Sequence, residues 1–164
     1  MCGDMTRSAA PAFSIVGGFI PTPHTQPSRI RMADQAPRQT PYERLGGAEG
    51  IKRLVKIFYD TVESHPEGAP LMVMHNQGNG LAHARVAQVD FLSGFFGGPQ
   101  LYIEQHGHSN VKAIHDHLEI GAIERDSWIN CMDLALAEFG AEPQLHQQVM
   151  AHFRRVAEAL RTKP

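Results

Sequence analysis

His115 is the residue whose type and surroundings point most directly to metal chemistry in this chain. It lies in a stretch without clear periodicity, after Gly97-Gly98-Pro99, which ends one helical pattern, and before a second helical pattern that carries Trp128. A neutral imidazole keeps one ring nitrogen free, and histidine is the commonest metal-binding side chain in proteins. The sequence therefore predicts a candidate metal ligand on a loop between two helices.

Four amphipathic patterns supply the helices that would position such a side chain. Apolar residues at helical spacing from Ile51 to Val62 predict a helix over Ala48–Glu63. The other three patterns run over Leu81–Phe95, Trp128–Phe139 and Leu145–Leu160. No stretch alternates as a strand does, so we expect an all-α domain with irregular chain at 64–80 and 99–121. Periodicity alone would fit a plain four-helix bundle equally well.

The composition is that of an ordinary globular domain and argues against several classes of partner. The chain has 164 residues, and its 15 basic and 17 acidic residues give a net charge of −2. We expect no nucleic-acid partner from this balance, and no membrane span, because no apolar run approaches about 18 residues. Cys2 and Cys131 are the only cysteines, so we expect no disulfide framework and a reducing, cytoplasmic location.

The first forty residues differ in composition from the remainder of the chain. They are rich in Pro, Ser, Thr and Gly and have no helical periodicity, which is typical of a disordered extension. The weakly apolar stretch Ala12–Ile20 is short for a signal peptide, and only Arg7 precedes it as a basic residue. We therefore expect a disordered extension over residues 1–40 and one folded domain over residues 41–164.

Three motifs follow one another in the second half of the chain. They are Gly-Gly-Pro followed by Tyr102, Gly-His followed by His115, and Glu-Arg-Asp-x-Trp-x-x-Cys-Met around Trp128. In this order they resemble the truncated haemoglobins, specifically the second group of that family. The resemblance implies a two-over-two globin fold, in which two antiparallel helix pairs hold haem b between them. It also implies that His115 is the axial ligand of a pentacoordinate haem iron.

The same resemblance assigns polar side chains to the ligand side of the haem. Tyr59 matches the family's distal tyrosine, and Trp128 matches an indole that donates its N–H toward the bound ligand. His75 falls near the corner before the distal helix, where it would lie over the haem. Gln88 is a polar residue on an otherwise apolar helical face, so we expect it to add a donor to this pocket. Each of these side chains could instead be an ordinary core or surface residue.

Other residues would pack against the porphyrin or bind its carboxylates. We expect Phe91, Leu92 and Tyr102 to contact the haem or the core around it. The family commonly has an arginine directly before the axial ligand, where it can reach a haem propionate, and this chain has Ile114 there. Lys112 could bind a propionate in its place.

A pocket with several hydrogen-bond donors favours oxygen retention over easy release. Bound oxygen draws negative charge from ferrous iron, and preplaced donors stabilise that charge in a water-poor site. We therefore expect tight binding of oxygen and of related ligands such as nitric oxide, and a pocket that suits nitric oxide oxidation or peroxide reduction. Such turnover needs an electron donor, and with no flavin or nicotinamide motif in the sequence, a reductase would be a separate protein. Neither an enzymatic role nor the oligomeric state follows from the sequence.

Two interpretations of another kind stay open at the level of sequence. His106, His108, His115 and His117 form two His-x-His pairs, which occur in zinc and iron sites, although no matching cysteine or His-Glu-x-x-His pattern accompanies them. The chain would then be a non-haem, metal-binding helical protein that uses this histidine cluster. The second interpretation is a helical interaction module without a cofactor.

Overall fold

The computed structural model describes residues 38–76 and 80–164, and every element in these two stretches is a helix. The expectation of an all-α domain is thereby confirmed. Almost all of the predicted disordered extension lies outside the described residues. The helices are α1 Pro41–Arg44, α2 Gly47–Ser64, a 3₁₀ turn Pro66–Gly68, α3 Ala69–Asn76, α4 Gly80–Phe95, α5 Leu101–His106, α6 Val111–His115, α7 Ala122–Phe139 and α8 Pro143–Ala159.

The four long helices, α2, α4, α7 and α8, are those that the apolar patterns predict. The helix predicted over Ala48–Glu63 is observed over Gly47–Ser64. Helix α7 begins earlier than its apolar pattern, because the Glu124 carboxylate accepts a hydrogen bond of 2.9 Å from the N–H of Gly121 and closes the first turn. It ends at Gly140, whose φ of 77° is the left-handed conformation that favours glycine.

The long helices pack as two pairs, α2 with α4 and α7 with α8, and α2 also lies against α7. Helices α2 and α7 supply most of the large side chains that are fully buried. These are Ile51, Leu54, Val55, Phe58, Val62, Cys131, Met132 and Leu136. Each such side chain stabilises the fold by about 1.5–3 kcal/mol through removal of apolar surface from water. Within the described residues, no helix is long and apolar enough to cross a membrane.

The two segments expected to be irregular, 64–80 and 99–121, contain three short helices instead. Helices α3, α5 and α6 have eight, six and five residues, which is too few turns to produce a periodic pattern in the sequence. Helix α6 begins at a side-chain cap, where the Asn110 Oδ1 atom accepts from the N–H of Ala113 at 3.3 Å. His115 is therefore the last residue of a helix, and the prediction that it lies in a loop is wrong.

Hydrogen bonds order both ends of the described domain. At one end, Thr40 and Glu43 exchange hydrogen bonds in a capping box that begins α1. At the other end, the N–H of Thr162 donates to the Ile120 carbonyl at 2.8 Å, and the Thr162 hydroxyl accepts from the N–H of Ile120 at 2.9 Å. The chain after α8 is thus held against the segment that follows α6.

The Gly-Gly-Pro turn after α4 lies so close to α1 that only glycine fits at Gly98. A Cβ atom at Gly98 would lie 2.5 Å from Cδ2 of Tyr42, which is nearer than packed atoms tolerate. The N–H of Tyr42 also donates to the carbonyl of Phe96 at 3.0 Å. Glycine at this turn therefore lets α1 pack where α4 ends, and this contact sets the start of the segment that leads to α5 and α6.

Candidate functional site

A cavity of about 530 Å³ is lined by residues from helices α2 to α8. Its volume lies within the range of small-molecule and cofactor sites. Eight of the sequence-predicted site residues contribute to its lining, namely Tyr59, His75, Gln88, Phe91, Leu92, Tyr102, His115 and Trp128. Lys112 is exposed and lies outside the lining. The fold thus brings together side chains that are up to 69 positions apart in the sequence, from Tyr59 to Trp128.

One ring nitrogen of His115 makes a backbone hydrogen bond, and the other ring nitrogen takes no part in it. Its Nδ1 atom lies 2.7 Å from the carbonyl oxygen of Val111, one turn earlier in α6. Since a carbonyl can only accept, Nδ1 carries the proton and the lone pair of Nε2 stays available. Burial lowers the pKa of His115, although the bond to Val111 acts in the opposite direction. A neutral imidazole with its tautomer fixed by a carbonyl is the form that binds a metal ion.

Tyr59 and Gln88 form a hydrogen-bonded pair in the wall of the cavity. Tyr59 is 3% exposed, and its hydroxyl donates to Oε1 of Gln88 at 2.8 Å. Burial raises the pKa of Tyr59 above its usual range, so the hydroxyl keeps its proton. The Nε2 atom of Gln88 is buried and has no hydrogen-bond partner within residues 38–76 and 80–164. An unsatisfied buried donor costs about 1–3 kcal/mol, so this amide is suited to a polar ligand inside the cavity.

Arg85 lies beside Tyr59 without lining the cavity, and sequence reasoning missed it. Its guanidinium carbon is 5.2 Å from the centre of the Tyr59 ring, within the range of a cation–π contact. The same guanidinium binds Asp60 at 3.2 Å and Glu63 at 2.6 Å. These ion pairs join α4 to α2 next to the tyrosine. No sequence pattern could have indicated the contact, because its partners belong to a different helix.

His75 has the same local arrangement as His115. Its Nδ1 atom lies 2.8 Å from the carbonyl oxygen of Leu71, one turn earlier in α3. The imidazole meets the Tyr59 ring edge-on, with ring centres 5.8 Å apart. His75 is thus a neighbour of the Tyr59–Gln88 pair, and its Nε2 atom is not engaged by the bond to Leu71.

Aromatic rings form much of the remaining lining. Trp128 packs against Phe58 and Phe153, with ring centres 5.5 and 5.0 Å away. Phe91 meets Tyr102 edge-on at 5.8 Å. The contribution of Phe153 could not be foreseen, because an apolar pattern predicts the buried face of α8 without telling which residue reaches a cavity.

The histidines around the cavity do not gather into a metal cluster. Six of them line it, namely His75, His83, His106, His108, His115 and His117. In the part of the chain that the structure describes, no three His, Cys, Asp or Glu side chains are grouped so that they could hold a metal ion. The histidine-cluster interpretation therefore has no three-ligand group among these residues.

Sequence comparison relates the chain to haem proteins of bacteria. Residues 40–162 match the bacterial-like globin family. A group 2 truncated hemoglobin of Bacillus subtilis is 35% identical over 107 residues, which cover 65% of this chain and 76% of that protein.

Structure comparison finds the same class of protein. A group II 2-on-2 hemoglobin from the plant pathogen Agrobacterium tumefaciens matches with a TM-score of 0.73 and 29% identity, over 80% of this chain and 100% of that one. A truncated oxygen-avid haemoglobin from Bacillus subtilis matches with a TM-score of 0.65 and 31% identity, over 76% of this chain and 100% of that one. The expected two-over-two arrangement of helices is therefore confirmed.

Proposed function

Because this chain belongs to the bacterial-like globin family, we propose that it binds haem b through His115 and retains oxygen or a related diatomic ligand beside Tyr59, Gln88 and Trp128. One observation carries the proposal. The same cavity is lined by an imidazole whose Nε2 atom is free to bind iron and by a buried amide N–H group without a partner. A metal ligand and a hydrogen-bond donor in one apolar cavity are what such a function requires.

The cavity fits haem in size and in chemistry. Its volume of about 530 Å³ and its aromatic lining suit a large, planar, mostly apolar group. His115 supplies a neutral imidazole, the usual axial ligand of globin iron. When bound, haem would supply a ferrous iron that holds one diatomic ligand.

The side chains around the ligand would act by hydrogen bonding and by excluding water. A hydrogen bond to a charged acceptor contributes about 1.5–3 kcal/mol. Two such donors would slow oxygen release by roughly 10²–10⁴-fold. Tyr59 holds the Gln88 amide in one orientation through the 2.8 Å bond, and Arg85 restrains the tyrosine ring. One relative is an oxygen-avid haemoglobin, and this supports tight binding here.

Redox chemistry of nitric oxide or peroxide is the second part of the proposal. A retained oxygen molecule in a dry pocket is a suitable oxidant for nitric oxide, and a separate reductase would restore ferrous iron. A reducing cytoplasm is the corresponding location. A free thiol is typical of such a compartment, and Cys131 is a buried free thiol whose pKa is raised to about 11 by burial.

Absorption spectra of the purified protein in its ferric, ferrous and oxygenated forms test the proposal. We expect an intense haem band, an oxygenated spectrum that decays slowly when free oxygen is removed, and rapid conversion of that form to the ferric spectrum by nitric oxide. A folded protein that stays colourless after haem addition would contradict haem binding. Stabilisation of such a colourless protein by zinc would favour the histidine-cluster interpretation.

A further inference from the structure

The exposed part of the cavity lining consists almost entirely of histidine. Among the described residues that line the cavity, five are solvent-exposed, and four of these are His83, His106, His108 and His117. The fifth is Ala113, which offers no polar side chain. We call the four histidines the imidazole rim. They lie on or beside different helices, so the rim is assembled by the fold and not by one sequence motif.

The charged residues of the lining already have partners elsewhere in the protein. The carboxylate of Glu124 accepts from the N–H of Gly121 at 2.9 Å. The guanidinium of Arg125 binds Asp126 at 2.8 Å and also pairs with Glu158. The imidazoles of the rim are therefore the polar side chains that both line the cavity and reach solvent.

Two contacts constrain histidines of the rim, one by fixing which ring nitrogen carries the proton and the other by limiting ring rotation. The Nδ1 atom of His108 accepts from the N–H of Asn110 at 3.3 Å, so the neutral imidazole carries its proton on Nε2. His108 can thus donate a hydrogen bond without becoming charged. The ring of His106 lies against that of Tyr102, with ring centres 4.2 Å apart, which limits its rotation beside the cavity.

We propose that the imidazole rim binds the carboxylate groups of haem. This inference rests on the proposed function, because it assumes that haem occupies the cavity. The apolar faces of the porphyrin belong in the aromatic interior, and its carboxylates require water or hydrogen-bond donors. The residue before His115 is Ile114, which cannot bind a carboxylate, and Lys112 does not line the cavity.

A comparison of haem with its dimethyl ester tests the rim, since esterification removes the two carboxylate charges and leaves the porphyrin ring and the iron unchanged. The measurement is the rate at which the full-length protein loses each porphyrin to an excess of a haem-scavenging protein. The wild-type protein should lose haem more slowly than it loses the dimethyl ester. Replacing the four rim histidines by alanine, which has no donor, should reduce the difference between the two loss rates by on the order of tenfold, and change the loss of the ester by less than about twofold. His65→Ala, at an exposed histidine outside the lining, is the matched control.

The four single variants keep the test informative if the combined variant folds poorly. Each single variant should reduce the difference between the two loss rates by a fraction of the combined effect. The rim proposal would be overturned if the difference between the two loss rates were unchanged in all four variants, or if it fell only in a separate variant, Lys112→Gln. Haem binding itself would remain intact in either case. If wild type bound neither porphyrin, the proposed function itself would fail, and the rim proposal with it.

Discussion

The hydroxyl of Tyr59 donates to Oε1 of Gln88, and this direction decides which end of the amide is left for a ligand. Because the oxygen of Gln88 is engaged, its N–H₂ group is the end without a partner. We therefore expect the tyrosine to act on a ligand through the glutamine. The pair would offer a ligand one oriented donor, the amide of Gln88. The hydroxyl of Tyr59 would become a second donor if it turned toward the ligand.

Replacing Gln88 should accelerate oxygen release more than replacing Tyr59. Gln88→Leu removes the unpartnered donor, and oxygen dissociation should rise by roughly 10- to 100-fold, since a charge-assisted hydrogen bond contributes about 1.5–3 kcal/mol. Tyr59→Phe leaves the amide in place but free to turn, so its effect should be smaller. The double variant should deviate from additivity by about 0.5–3 kcal/mol, because the two side chains are in contact. Stopped-flow oxygen dissociation gives these rates.

Carbon monoxide is the control for this double-mutant cycle. It carries little charge when bound, so its dissociation rate should change far less than that of oxygen. Additive effects of the two substitutions, or equal effects on both ligands, would show that Tyr59 and Gln88 act through packing or access.

His115 and His75 share one local geometry but should differ in their effect on haem binding. His115→Ala should abolish tight haem binding, because the axial ligand is lost. His75→Ala should keep the haem and change the oxygen dissociation rate, since His75 is a neighbour of Tyr59. Absorption spectra and haem transfer rates distinguish the two variants. Wild-type spectra in His115→Ala, together with haem loss in His75→Ala, would show that the ligand assignment is reversed.

The stabilising effect of Asp60 should depend on pH. The ammonium of Lys56, 2.5 Å away, and the guanidinium of Arg85 lower the pKa of Asp60 in the folded state. The contribution of Asp60 is therefore complete above its unfolded pKa of about 3.9 and is lost as the pH falls through the lower folded value. Asp60→Asn should reduce the free energy of unfolding at neutral pH by less than about 1 kcal/mol, because the pair is largely exposed. Urea denaturation should show this difference shrinking toward zero in strong acid, and a constant difference would contradict the assignment.

The extension before residue 40 should be dispensable, whereas Thr40 should not. A chain that begins at Met32 retains the capping box between Thr40 and Glu43 and should fold and bind haem like the full-length protein. A chain that begins at Tyr42 lacks the cap and should be less stable by about 0.5–2 kcal/mol. Thermal and urea unfolding measure both, and Thr40→Ala in the full-length chain isolates the cap. Loss of haem binding in the chain that begins at Met32 would show that the extension contributes to the site.

The sequence predicts the long helices well because each buries a continuous apolar face. The first one differs from its prediction by one residue at each end, Gly47–Ser64 against Ala48–Glu63. Helices of five to eight residues have no such face. Helix α6 has a side-chain cap at Asn110, whereas α3 packs against α7 and α4, and α5 packs against α4. For this reason the helical state of His115 could not be read from the residues around it.

Within the candidate site, motifs locate residues but do not give their partners. Tyr59, Gln88 and Trp128 are singled out by type and by position on a helical face, and their roles toward a ligand stay predictions. The bond from Tyr59 to Gln88 joins two helices, and so does the contact of Arg85 with Tyr59. Such contacts depend on how α2 and α4 pack, which no local pattern contains. The exposure of Lys112 is likewise a property of the folded surface.

The bond from His115 Nδ1 to the Val111 carbonyl spans almost the whole of the five-residue helix α6. Opening this single turn would release the imidazole from its tautomer and its orientation in one event. Local opening of α6 would then free the axial imidazole long before the domain unfolds as a whole. Substitutions that stabilise α6 should accordingly slow both the amide hydrogen exchange of this helix and the escape of the porphyrin, so that the shortest helix of the site contributes to the kinetic lifetime of the holoprotein.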